Sequence, residues 1–293
     1  MTTPALQAQR LGKSFRGVEA VVSLDLVLDA GEVVGFLGPN GAGKSTTLRM
    51  LLGLLRPTTG TASIRGHRAG SPEARADVAY VAGDVALWPQ LTGAETIELL
   101  TSLHGSCDAR YRDELVARFD LDPSRRVRAY SRGNRQKVAL IAALATRAPV
   151  LLLDEPTSGL DPLMELVFRE CVLEAGARGQ AVLLSSHLLA EVEHLCQRVA
   201  MIREGHLVRV ADVEELRALV DVEFEITGDV GDLSGVAGVS EVTPLVDGVR
   251  VRVHGSPGPL LAALATRPVS ALRTREASLE EIFLSFYAPA TTT

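Results

Sequence analysis

The segment Gly38-Pro39-Asn40-Gly41-Ala42-Gly43-Lys44-Ser45-Thr46 reads as G-x-x-x-x-G-K-[ST], and no other stretch restricts the fold of this chain so strongly. It follows the apolar run Val33-Val34-Gly35-Phe36-Leu37, which reads as a buried strand. It precedes Thr47 to Leu55, where Leu48, Leu51, Leu52 and Leu55 recur at helical spacing. Strand, loop and helix in that order form the setting in which such a loop grips phosphate. Gly38, Gly41 and Gly43 admit backbone angles and close approaches that a side chain blocks, so successive N–H groups can curl around a polyphosphate. The helix that follows adds unsatisfied N–H groups and the positive end of its dipole. Lys44 supplies a point charge for the β- and γ-phosphates, and the Ser45 hydroxyl is placed to ligate Mg²⁺. A Gly-rich turn that merely ends in Lys-Ser is the weaker reading with these flanks on both sides.

Composition bounds the rest. The chain has 293 residues, 46% hydrophobic and 23% charged, which suits about two domains with a real core and a short flexible tail at 289–293. A net charge of −6 argues against nucleic acid as the main partner, since phosphate backbones demand a basic face. Cys107, Cys171 and Cys196 lie far apart without a C-x-x-C, so neither a disulfide framework nor a zinc site is supported. No signal peptide is read at the N-terminus, and the longest apolar run, Val138 to Ala145, falls short of the ~20 residues that span a bilayer. Any membrane role is therefore expected to come through a partner.

In chain order, strands are predicted near Ala5 to Leu11 and Val22 to Leu28, with a turn at Asp29-Ala30-Gly31 before the strand into the phosphate loop. Phe15 is placed in the short link between the first two. It either packs on the sheet or stacks on an adenine ring, and the sequence leaves both open. Arg56 to Gly60 reads as a helix stop and turn, Thr61 to Ile64 as a short strand, and Asp77 to Ala82 as a buried strand leading to Gly83-Asp84. Residues 85–147 read as predominantly helical, with a capping box at Thr92-Gly93-Ala94-Glu95 and apolar residues at helical spacing in Asp113 to Phe119. Tyr130 to Lys137 precedes a helix predicted over Val138 to Thr146, and Ser131 is a good N-cap.

The run Val150-Leu151-Leu152-Leu153 is a buried strand ending in Asp154-Glu155. Two adjacent carboxylates at such a strand end are costly unless metal or catalysis uses them. In a doubly wound sheet that end is also where ligands bind. Pro156 to Pro162 reads as a loop, and Ala181 to Ser185 as another buried strand with Ser186-His187 at its exit.

Taken in order, Gly38 to Thr46, Ser131 to Gln136, Leu151 to Glu155, Ser158-Gly159-Leu160-Asp161 and Ser186-His187 closely resemble the nucleotide-binding subunit of an ATP-binding cassette (ABC) transporter. The resemblance spans about residues 5–215. It implies the α/β fold of a P-loop ABC ATPase: a parallel core sheet, an antiparallel β-subdomain and a helical subdomain near 85–147. It also implies an ATPase whose Lys44 and loop amides hold ATP, whose Ser45 and Asp154 hold Mg²⁺, Asp154 through water, and whose Glu155 is the general base or polariser for the attacking water. His187 would sense the γ-phosphate. Positioning and charge neutralisation are what phosphoryl transfer asks of a protein. The Ser131 stretch resembles the family's signature motif, which binds the ATP held by a second subunit of a head-to-tail dimer. Ser131 and the Gly133 N–H would be its donors, with Asn134 where the family usually has Gln. Asp161 would lie at the contact between halves. Arg132 replaces a common glycine.

A departure falls where Tyr80-Val81-Ala82 leads in the family to a glutamine that couples the Mg²⁺ site to the membrane partner. Gly83 stands there, and Asp84 is the candidate to take over the metal side. The wording of Ser131 to Lys137 and of Ala277 to Leu284 is similar to bacterial exporters of drugs, lipids or polysaccharides, so efflux is expected over import. Residues 216–288 read as a small α+β domain: a hairpin of Val239 to Val246 and Val249 to Val253 about a primed turn at Asp247-Gly248, a helix over Pro259 to Thr266, a strand over Val269 to Thr274, and a last helix opened by the capping box Ser278-Leu279-Glu280-Glu281. The expected partners are a permease and a second ATPase subunit, alike or similar, at the cytoplasmic face of the membrane. A non-transport ABC ATPase and a nucleotide-binding regulatory subunit are the alternatives.

Overall fold

The computed structural model describes residues 3–187, 189–218 and 222–275. It divides into two compact units, 1–210 and 211–293. In the first, β1 (Leu6–Phe15), β2 (Val18–Leu28) and β3 (Val33–Leu37) lead into α1 (Lys44–Leu51), followed by β4 (Thr59–Ile64), β5 (His67–Arg68), α2 (Pro72–Ala76) and β6 (Val78–Val81). Then come α3 (Gly93–His104), α4 (Ala109–Arg118) and α5 (Arg132–Ala145). The chain returns to the sheet with β7 (Val150–Asp154), α6 (Pro162–Ala177), β8 (Ala181–Ser186), α7 (Leu189–Leu195), β9 (Arg198–Arg203) and β10 (His206–Asp212).

One sheet of ten strands runs β5-β4-β1-β2-β10-β9-β3-β8-β7-β6. Its β9-β3-β8-β7-β6 part is parallel, and every residue of β3, β7 and β8 is buried, as expected of strands covered on both faces. Its β2-β1-β4-β5 part is antiparallel, with alternating burial in β2. The mixed α/β architecture, with a parallel core, an antiparallel flank and a helical stretch, is the one the motifs imply. The helices start where local chemistry tells them to. Thr92 and Glu95 form a reciprocal capping box on α3, with hydrogen bonds of 2.7 and 3.2 Å. Asp108 caps α4, and Asp161 caps α6 just before Pro162.

Local assignments differ from the sequence reading in several places. Phe15 is not in a link: it is the last residue of β1 and pairs with Val18. The helix expected at Val138 begins six residues earlier, at Arg132, because Ser131 caps it directly. Strands β9 and β10 have no counterpart in the sequence reading, although Val199 to Ile202 is a continuous buried apolar run.

The second unit holds α8 (Val213–Ala218), β11 (Val222–Thr227), β12 (Val239–Leu245), β13 (Gly248–Val253), α9 (Gly258–Leu264) and β14 (Ala271–Arg275). Its antiparallel sheet runs β12-β13-β11-β14. Phe224, Ile226, Val251 and Val253 pack with Leu260 and Leu264 of α9 in its core. The hairpin turn is Val246-Asp247, with Leu245 paired to Gly248, and neither turn residue has a positive φ, so it is not of the primed type. Gly248 belongs to the strand, where a Cβ would strike the Ile226 carbonyl. The Ser278 capping box lies outside the described residues.

Candidate functional site

Strand β3 delivers the chain from the interior to the phosphate loop. Ala42 N donates to Pro39 O at 3.1 Å to make the turn, and α1 begins at Lys44. Gly43 has φ 109°, and a Cβ there would lie 2.6 Å from the Ala20 carbonyl oxygen, so both its conformation and its surroundings require glycine. Thr47 closes the first turn, its N and Oγ1 donating to Gly43 O at 2.9 and 3.0 Å. The first amides of α1 have no intrahelical acceptor. They adjoin a hollow of about 160 Å³ lined by Asn40, Gly41, Gly43, Lys44, Ser45, Thr46 and, across from them, Glu155.

Lys44 is buried. Its ammonium donates to Gly38 O at 2.5 Å and Pro39 O at 3.3 Å, and lies 3.9 Å from Glu155 Oε1. Burial pushes its pKa below the ordinary 10.5, against the opposing pull of the Glu155 and Asp154 charges.

Asp154 ends β7, and Ser185 stands beside it in register on β8. The Ser185 hydroxyl donates to Asp154 Oδ1 at 2.5 Å and accepts from Glu155 N at 3.2 Å. Glu155 then turns out of the sheet with φ 46°, a left-handed angle rare for a residue with a side chain. Its Oε1 lies 3.3 Å from His187 Nδ1 at the exit of β8, so one carboxylate oxygen faces both His187 and Lys44. Behind Asp154, burial and then the Asp154 charge push the Tyr80 phenol up to about 12. Among the described residues no cluster of three or more acidic, histidine or cysteine side chains forms a closed metal cage. A hydroxyl at Ser45 and one fixed carboxylate at Asp154 are instead the sparse donor set that suits Mg²⁺ shared with phosphates.

The other sequence candidates fall into a second group. Ser131 Oγ accepts from Asn134 N at 3.2 Å, which makes Ser131 the N-cap of α5. Gly133 packs so close to the next motif that a Cβ would stand 2.3 Å from Gly159 O. Asp161 accepts from Leu163 N and Met164 N, both at 3.1 Å. None of Ser131, Gly133, Asn134 and Asp161 lines the phosphate-loop hollow. Phe15 does not line it either: its ring is 46% exposed, with the Lys13 ammonium 5.0 Å from the centroid. Asp84 is exposed and is not on that hollow, and a Cβ at Gly83 would lie 3.2 Å from the Asp154 carbonyl oxygen. Sequence reasoning missed Ser185 as a partner of both acids. The available signal was that β7 and β8 both turn from apolar to polar at the same end.

The family model described as ABC transporter matches residues 21–158. A daunorubicin resistance ATP-binding protein of Streptomyces coeruleorubidus is 34% identical over 97% of this chain and 96% of its own length. The Nod factor export ATP-binding protein I of Cupriavidus metallidurans is 32% identical over 96% of this chain and 97% of its own. Among solved structures, an ATP-binding subunit of an ABC transporter superposes with a TM-score of 0.69 at 32% identity, covering 73% of this chain and 92% of that one.

Proposed function

The chain belongs to the ABC transporter family of ATP-binding proteins, and from that membership we propose that it hydrolyses ATP between two head-to-tail subunits to drive a separate membrane permease. It is an ATP-binding, ATP-hydrolysing subunit of a transporter, with relatives of the drug-resistance and export type. The observation that carries the mechanism is the convergence of Lys44 and His187 on one oxygen of Glu155, at the rim of the phosphate-loop hollow.

In this reading the amides of Gly41 to Thr46 and the Lys44 ammonium hold the ATP phosphates. Glu155 accepts the proton of the attacking water, with its carboxylate aimed by the turned backbone. His187, 3.3 Å from Glu155 at the exit of β8, positions that carboxylate and faces the γ-phosphate. Ser45 and Asp154 would hold Mg²⁺, which when bound neutralises charge on the phosphates. Phe15, exposed at the end of β1, offers its face to the adenine. Ser131, Gly133 and Asn134 at the start of α5 serve the nucleotide of the other subunit, and Asp161 lies where the halves meet.

Among the described residues no helix is long and apolar enough to cross a membrane. Family membership supports attachment to the cytoplasmic face of a membrane through a permease, and the export-type relatives support outward transport. At the exit of β6, where Gly83 brings no side chain, Asp84 is assigned to the metal side through water.

The test is Mg²⁺-dependent ATPase activity of the full chain, alone and with membranes carrying its permease, over a range of protein concentration with Glu155→Gln alongside. Activity rising faster than linearly with concentration and falling roughly 10²-fold in the variant supports a hydrolytic dimer. Gly83 favours one second reading, a regulatory subunit that binds nucleotide without turning it over. Equal turnover in Glu155→Gln and the unaltered chain would move the assignment there.

A further inference from the structure

The loop that leaves Glu155 is tied to the start of α5 within the same subunit. Gln136 Nε2 donates to Pro156 O at 2.9 Å, a buried bond, and Gly133 packs on the Gly159 carbonyl. Both ties are backbone-directed. A third is not: the Arg132 guanidinium donates from Nη2 to Ser158 Oγ at 2.8 Å, with its aliphatic stem over Gly159, where a Cβ would lie 3.3 Å from Arg132 Cγ.

Arg132 is a costly choice for this position. It is the first residue of α5, where the helix dipole disfavours a cation by about 0.3–1 kcal/mol. The first turn contains no acidic residue to compensate it, and its hydrogen bond runs to a neutral hydroxyl rather than a carboxylate. Fold stability does not explain the arginine. Its placement does: Ser158 lines a second hollow, of about 250 Å³, together with Glu155 and His187 of the same subunit.

We propose that Arg132 is a positioning residue which, held to Ser158, makes the loop carrying Glu155 follow α5, so that nucleotide gripped at the start of α5 sets that subunit's own Glu155. This rests on the head-to-tail reading above, in which α5 serves the other subunit's ATP. The two ATP sites are then coupled through a single chain, in addition to any contact across the interface. Arg132 touches neither ATP nor water in this role; it acts through Ser158.

Hydrogen exchange of the full chain carrying Glu155→Gln, so that bound ATP persists, tests the idea, with sedimentation reporting dimerisation in the same samples. With Arg132 present, Mg-ATP should protect the amides of 157–161 with the same concentration midpoint as dimerisation. Arg132→Ala and Ser158→Ala should each dimerise and lose about fivefold of that ATP-induced protection, as one bridging hydrogen bond accounts for, and Arg132→Lys should restore part of it. A merely structural bond would alter exchange without nucleotide and leave the ATP-induced increment intact. That increment unchanged in both alanine variants overturns the inference while leaving the dimer reading in place. No ATP-driven dimer with Arg132 intact overturns the dimer reading and this inference with it. Failure of both alanine variants to dimerise would assign the pair to the interface and likewise overturn it.

Discussion

Ser185 Oγ donates to Asp154 Oδ1 at 2.5 Å, and because the same hydroxyl accepts the Glu155 amide at 3.2 Å, one side chain on β8 fixes both acids of β7. A hydroxyl is the smallest group that can donate to one neighbour while accepting from another, and Ser185 is fully buried. Removing it leaves Asp154 one donor short, while the Glu155 amide keeps the Ser185 carbonyl as its acceptor at 3.1 Å. Ser185→Ala should raise the Mg²⁺ concentration for half-maximal ATPase several-fold and lower the unfolding free energy by about 1 kcal/mol. Metal titration and urea melts check the two effects separately.

Lys44 gives a prediction in pH. Its pKa in the free protein is lowered by burial, and phosphate binds the charged form. The ammonium is fully charged below the lowered pKa, so affinity is flat there. As pH rises through that value the free protein sheds the proton that binding must restore, and ATP affinity falls at a lower pH than the 10.5 of an ordinary lysine. Nucleotide titrations from pH 7 upward should trace this fall. Lys44→Ala should bind roughly 10- to 100-fold more weakly at pH 7 and lose the pH dependence, the equivalent of one charge-assisted hydrogen bond of about 1.5–3 kcal/mol.

Gly133 separates folding from assembly. A Cβ there would stand 2.3 Å from Gly159 O, a backbone atom that cannot swing aside. Gly133→Ala should cost about 1–3 kcal/mol of stability and push α5 away from the 156–161 loop. Binding of ATP to the single subunit, at the far hollow, should persist while ATP-driven dimerisation is lost. Equilibrium dialysis and sedimentation on the same preparation distinguish these.

Asp84 is exposed and away from the phosphate-loop hollow, so its contribution to metal binding is expected to be small. Asp84→Ala should raise the Mg²⁺ requirement about twofold to threefold without changing ATP affinity, as loss of a water-mediated contact implies. An unaltered Mg²⁺ titration removes Asp84 from the site.

Much of this was legible in the chain. Val33 to Leu37 and Val150 to Leu153 are uninterrupted apolar runs because both faces of those strands are covered, and such runs announce a parallel core. Thr92 and Glu95 specify a helix start by themselves, since both hydrogen bonds of the box lie within four residues. What stayed hidden depends on residues distant in sequence. Ser185 meets Asp154 only because β8 lies beside β7, and Arg132 meets Ser158 across 26 positions. The start of α5 was misplaced for a related reason. Its first turn, Arg132 to Arg135, is polar and largely exposed, so hydrophobic spacing begins only where the helix turns inward at Gln136. In the second unit Glu223, Glu225, Arg250 and Arg252 alternate with the core residues and pair with each other, the period-2 pattern that made Val249 to Val253 legible as a strand.

The backbone of Glu155 has an implication for how this protein can be altered. A side chain held at φ 46° carries strain of about 1–3 kcal/mol, which glycine would relieve. Glu155→Gly should therefore melt no lower than the unaltered protein while losing turnover. A selection for thermal robustness alone would drift toward the loss of the residue proposed to activate the attacking water. Tolerance to heat and competence for work are set against each other at this one position, so any stabilised variant of the chain should be checked for activity before its melting temperature is counted as a gain.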